Sequence, residues 1–262
     1  LDLSWSLATI YTLWAGIIGG IALTLATHGT DQFLVQRLLS GRSARQASLG
    51  LVLSGFVVFA QFILFLLIGV MLFVYHQHVA APVLRRMDEI LPLFIVNHLS
   101  GGVAGFIVAA IVAAALSPSL NAMAATTVND FYKRYVRPDA DERRLMRISR
   151  QATIAWGAVQ LAVALGAQWM DRSVLDAGLS VLSLTSGPVL GAFLVGVLTR
   201  RIGSRAMIGG MALGMGVLVW VWASDAVAWT WYAFIGASVT GLGAAMLSLL
   251  DRRASPDVAV TS

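Results

Sequence analysis

Long apolar runs alternate with short polar links along this chain. A bilayer core roughly 30 Å thick needs about 20 apolar residues per helix. Seven runs meet that length: residues 5–28, 47–75, 101–129, 150–170, 173–199, 206–223 and 228–250. Between the second and third, "VLRRMDEILPLFIVNHLS" shows helical periodicity but is too short and too charged to span. It predicts a helix at about 82–99 lying across one face, interrupted at Pro92. The third run keeps its helical pattern from Gly101 to about Tyr132, roughly 48 Å at 1.5 Å per residue, so its end projects or tilts. It is rich in Gly, Ala and Ser, residues that let membrane helices pack closely. Pro118 has no N–H and so deprives the Ala114 carbonyl of its helical donor. Freed carbonyls are what buried cation sites in interrupted membrane helices use. The first run is interrupted by Gly16, Gly19 and Gly20 and continues with Thr24, Thr27, His28 and Gly29.

Composition agrees with the pattern. The chain is 58% hydrophobic and 12% charged, with mean hydropathy +0.80, against roughly 25% charged residues in soluble domains. This is an integral membrane protein. The net charge of +5 is explained by topology and not by a nucleic-acid surface. Fifteen of the 18 basic residues fall in alternate links, at 33–46, 130–150, 200–205 and from 251 on. The positive-inside rule then places the N-terminus outside and the tail 251–262 in the cytoplasm, as expected for a bacterial inner membrane. Tryptophans 169, 220, 222, 229 and 231 stand near outer ends, as interfacial anchors do. With no cysteine, disulfides and thiolate metal sites are excluded. The chain opens at Leu1 without a signal-peptide pattern, which suggests a fragment.

Several chemistries fall away. The only lysine, Lys133, stands at the edge of a span, so no retinal Schiff base is available mid-membrane. No HExxH motif or glycine-rich phosphate loop occurs, and His76 with His78 lacks a third metal ligand. An enzyme is not expected.

Three stretches carry a resemblance: "TDQFLVQRLLSGRSARQA" at 30–47, "AAALSPSLNAMAATTVNDFYK" at 113–133 and "SLTSGPVLGAFLVGVLTRR" at 183–201. Together they resemble the sodium:solute symporter family of sodium/glucose, proline, pantothenate and iodide transporters. The first is similar to that family's D/N-Q-x-x-V-Q-R signature. The run Leu120–Ala125, Ser186-Gly187-Pro188 and Gly191-Ala192-Phe193 look nearest to the iodide and monocarboxylate branch. The resemblance implies an all-α membrane fold of the LeuT-type inverted repeat. Residues 1–199 would be core helices 6–10, with an outer capping helix at about 82–99 and two trailing helices at 200–250. The first repeat would be a missing partner, and this chain alone should not transport.

The same resemblance implies sites. The family's sodium site uses two adjacent hydroxyls on core helix 8; here they fall on Ala114 and Ala115, with Ile111 supplying a carbonyl. Ser117 and Ser119 stand one to two turns further inward. Sodium is therefore in doubt: carbonyls and water suffice, another ion serves, or coupling is lost. Thr24, Thr27 and His28 would face the substrate cavity, with Ser180 in place of the sugar-binding glutamine. The sugar branch's gate tyrosine is Thr27 and its pocket lysine is Val58, so a small organic anion or uncharged metabolite fits better than a sugar. His28 would be a helix-end hydrogen-bonding residue or a proton carrier. Asp31, with Gln32, Gln36 and Arg37, ends core helix 6; its carboxylate would be a latch, pairing with Arg37 or accepting backbone N–H groups, or a gate, or a ligand. The functional expectation is a secondary active transporter of a small organic solute in the lipid bilayer. The alternative is a symporter-like membrane sensor that binds solute without coupled transport.

Overall fold

The polar residues near the N-terminus delay the first helix. Ser6 Oγ accepts the N–H groups of Ala8 and Thr9 at 3.3 and 3.2 Å, and Asp2 accepts that of Ser4 at 2.9 Å. Such local bonds compete with helical ones. The Ser4 N–H also holds the Asp2 carboxyl below its ordinary value. In the computed structural model, which describes residues 2–31, 34–35, 41, 43–79, 84, 86–169, 173–199 and 202–254, helix α1 therefore spans Ala15–Thr30. It opens with a π-helical turn, Ala15–Gly19, at the predicted glycine interruption.

The other described helices are α2 (Ala44–His78), α3 (Ile90–His98), α4 (Gly101–Val136), α5 (Glu142–Gly166), α6 (Val174–Leu198), α7 (Ser204–Ser224) and α8 (Tyr232–Ala254). No strand occurs among the described residues. Of the seven predicted spans, α2, α4, α6, α7 and Trp229–Leu250 have the length and apolarity to cross a bilayer. α1 is apolar but shorter, for the reason just given. α5 reaches 25 residues but begins in the charged turn "ERRLMR".

One proline differs from expectation in its effect. Pro92 does not interrupt α3, because it occupies the helix's first turn, where its missing N–H has no helical acceptor. α4 runs through position 118, as its helical pattern predicts, and widens to π-helical geometry at Thr127–Val136.

The chain groups into two units. The first comprises Leu1–Val58 and Leu175–Ser262. Its centre is a close approach of α6, α7 and α8 through small residues. A Cβ on Gly191 would lie 2.5 Å from the Ala237 carbonyl oxygen, and one on Gly210 2.6 Å from that of Thr240. A Cβ on Gly214 would collide with Thr240 Oγ1. These are small-xxx-small contacts, which bring backbones together where lipid offers no hydrophobic drive. α1 docks on this core through Ala22 and Ala26, which pack with Leu190 and Ala233.

The second unit is Phe59–Val174. α4 and α5 meet along a polar seam. Gln160 Nε2 donates to Ser119 Oγ at 3.0 Å, Trp156 Nε1 to Thr127 Oγ1 at 2.9 Å, and Arg144 Nε to the Tyr132 hydroxyl at 2.9 Å. α3 rests on the end of α2 through Tyr75, Phe94 and His98, with the last two rings stacked at 4.8 Å.

Candidate solute and cation site

The last two turns of α1 carry the predicted cavity residues. Thr27 Oγ1 donates to the Leu23 carbonyl at 3.0 Å and lies 3.1 Å from His28 Nδ1. That nitrogen is also 3.2 Å from the Thr24 carbonyl. The Thr27 and His28 side chains are thus tied to their own helix. Thr24 is exposed, while Thr27 and His28 are partly buried.

Ser180 stands elsewhere. It is buried in the second turn of α6, and its hydroxyl donates to the Ala177 carbonyl at 3.0 Å. Where α1 meets α6, the lower pairing is Ala22 and Ala26 with Leu190. The upper pairing is Tyr11, before α1 begins, whose hydroxyl donates to Asp176 Oδ1 at 2.8 Å. Ser180 precedes Leu190 by ten positions, about 15 Å along a helix. It therefore lies level with the start of α1, not with Thr24, Thr27 and His28. The predicted quartet does not converge.

The glycine interruption does open space. A cavity of about 480 Å³ borders the π turn, lined by Tyr11, Gly16, Gly20, Trp229 and Thr230 among others. An apolar groove of about 670 Å³ runs between α1, α6 and α8, past Leu25, Leu194 and Phe234. Neither includes Thr24, Thr27, His28 or Ser180.

Asp31 closes α1 and accepts two backbone N–H groups beyond it. It ends α1 with extended backbone, and its Oδ1 accepts the Leu34 N–H at 3.2 Å while its carbonyl accepts that of Val35 at 2.9 Å. Gln32, Gln36 and Arg37 lie outside the described residues.

The predicted cation positions are on the exposed side of α4. Ile111, Ala114 and Ala115 are all exposed in the second unit. One turn on, Ser119 Oγ donates to the Ala115 carbonyl at 3.2 Å while accepting from Gln160. No cluster of three metal-ligating side chains occurs among the described residues.

Sequence reasoning missed three residues. Asp176 takes hydrogen bonds from both Tyr11 and Trp229, the latter at 3.1 Å. It joins the segment before α1, the start of α6 and the approach to α8. Gln160 holds the α4–α5 seam. Ser183, 1% exposed, has a hydroxyl with no hydrogen-bond partner among the described residues. Of the three, only Ser183 carries a signal that could have found it, its place three positions after Ser180 on the same helical face; Asp176 and Gln160 carry none.

Residues 3–214 match the sodium:solute symporter family. The chain belongs to that family. Among its relatives, the human sodium/iodide cotransporter is 31% identical over 225 residues, covering 80% of this chain and 34% of that protein. The sodium/sialic acid symporter NanT of Aliivibrio fischeri is 28% identical, covering 89% of this chain and 46% of that protein. A solved Na+-coupled sialic acid symporter, substrate-bound and outward-open with a novel Na+ site, superposes with a TM-score of 0.74 at 28% identity. That match covers 94% of this chain and 52% of the other. The chain therefore spans between about a third and about half of the length of these relatives. Its helical membrane fold is the LeuT-like one of the solved symporter.

Proposed function

We propose that this chain forms the second half of a secondary active transporter that couples a cation, sodium in the first instance, to the movement of a small organic solute. The observation that carries the reading is the likeness to a Na+-coupled symporter across 94% of the chain. In this reading residues 1–199 are core helices 6–10, α3 caps the outer face, 200–250 are trailing helices and 251–262 face the cytoplasm of a bacterial cell. The partner is the first half of the same bundle.

Ile111, Ala114 and Ala115 hold the cation positions. With both hydroxyls absent, the ligands left on α4 are carbonyl oxygens, including that of Ala114, which Pro118 leaves without a helical donor, and water. Oxygen donors of this kind suit a hard cation. Thr24, Thr27 and His28 line the solute path on α1, and Ser180 with Ser183 stands nearer the outer mouth. Asp31 serves as a latch or gate at the inner end of α1.

The test uses protein containing both halves, reconstituted in liposomes with a sodium gradient. Uptake is measured for iodide, a monocarboxylate and sialic acid, the solutes for which relatives are named. Sodium-driven uptake of one is expected, and uptake unchanged when choline replaces sodium overturns sodium coupling. Thermal unfolding separates binding from transport, since an ion at a hundredfold excess over Kd stabilises by about 2.7 kcal/mol. If only the Ala114→Ser/Ala115→Ser variant responds to sodium, the fold stands and sodium is not the coupling ion.

A further inference from the structure

The first turns of α5 present one basic face. Arg143, Arg147 and Arg150 recur at i, i+4 and i+7, which places them within about 60° of one another around the helix. All three are exposed, and Met146 and Ile154, 61% and 74% exposed, continue the same side toward the apolar part of the helix. None of the three arginines makes an ion pair or hydrogen bond among the described residues. Arg144, one position off this face, is the one bound to Tyr132. Across the link, Lys133, Arg134 and Arg137 are also exposed and, among the described residues, without a carboxylate partner, although Asp130, Asp139, Asp141 and Glu142 are near in sequence. Phe131 and Tyr135, 62% and 71% exposed, stand among them.

This cluster sits where α4 leaves its apolar stretch and α5 approaches its own. In a bilayer such a boundary between an apolar helix and a charged link falls near the headgroup layer. Six of the link's seven cations are arginines, whose forked donors match phosphate oxygens and whose stems tolerate an apolar surrounding. Exposed aromatic side chains beside them fit the same boundary. Setting membrane orientation requires positive charge in the link, but not its alignment on one helical face clear of the available carboxylates.

We propose that the Arg143–Arg147–Arg150 face of α5, with the π-helical end of α4, is a binding surface for anionic phospholipid headgroups. It rests on α4 and α5 being membrane helices and not on the transport reading.

The experiment titrates the purified protein in neutral micelles with phosphatidylglycerol or phosphatidylcholine and counts bound lipid by native mass spectrometry. Phosphatidylglycerol is expected to bind at least about tenfold more tightly at low salt, since each cation near a headgroup layer contributes roughly fivefold. The preference collapses between about 0.05 M and 0.5 M salt. Arg143→Gln/Arg147→Gln/Arg150→Gln removes most of it, while the control Arg45→Gln/Arg205→Gln keeps it. The triple variant leaves twelve of the fifteen basic residues of those links in place, so orientation is preserved. Equal binding of both lipids, a preference that survives high salt or the triple variant, or equal loss in the control overturns the proposal. If the triple variant does not fold, salt dependence in the unmutated protein decides.

Discussion

α4 and α7–α8 are written in the same residues and reach opposite ends. α4 begins "GGVAGFIVAA"; α7 carries "GGMALGMG" and α8 "GASVTGLGAA". In α7 the small residues are filled by a neighbour, because Gly210 and Gly214 face the backbone and side chain of Thr240. In α4, a Cβ added at Gly101, Gly102 or Gly105 would meet nothing within 4 Å. A third of the most apolar window of α8 is buried, and none of that of α4. Small residues therefore state that a close approach is sterically open to a membrane helix, while the identity of the neighbour is decided elsewhere. For α4, this chain covers 34% and 46% of two of its relatives, which leaves more than half of each relative to supply one.

The widest gap is expected between glycines of the two helices. Gly210→Val should cost about 3 kcal/mol or more in micelle unfolding, because the added carbons press on backbone rather than on a movable side chain. Gly105→Val in the same chain should stay within about 0.5 kcal/mol. Equal costs would dissolve the contrast. In protein containing both halves, Gly105→Val should become costly, and a neutral result there would mean that α4 faces lipid.

Polar ties come next. Tyr11→Phe removes a hydrogen bond to the Asp176 carboxylate and should cost about 1.5 kcal/mol. A double-mutant cycle with Asp176→Asn should show coupling, and additive losses would mean that the two groups act separately. In the other unit, Gln160→Leu should cost about 0.6 kcal/mol, the usual worth of a side-chain bond between membrane helices. A loss as large as that of Tyr11→Phe would place the α4–α5 seam on the same footing as the Asp176 tie.

The smallest effect is a pH dependence at the N-terminal turn. Asp2 is held below its ordinary value of 3.8 by the Ser4 N–H. A depressed carboxyl stabilises the folded form above the unfolded value, and this contribution fades as pH falls below about 3.8. Asp2 is fully exposed, so the effect should be visible in amide exchange at Ser4 and not in global unfolding. Asp2→Asn should flatten that local profile.

Much of this protein was legible along the chain because lipid imposes strict terms. Every span must satisfy its own backbone, so length and apolarity located the helices, and the glycines at 16, 19 and 20 located a real irregularity. The helix end at Thr30–Asp31 was equally plain, since an acid that closes an apolar run finds N–H groups at the next turn. The family, too, was carried by local strings of residues.

Depth and partnership were not written there. Ser180 was placed with Thr24, Thr27 and His28 by type and resemblance, yet α6 meets α1 in a register that sets it about 15 Å away. Asp176 appeared as one acid near a helix start until Tyr11 and Trp229, 165 and 53 positions distant, closed on it. Periodicity fixes the face on which a residue stands; only packing fixes how far one helix slides along another. Between α1 and α6 that slide is set by Ala22 and Ala26 against Leu190 and by Tyr11 on Asp176, so the sequence determined the helices and their faces, and the tertiary structure alone decided which groups share a depth.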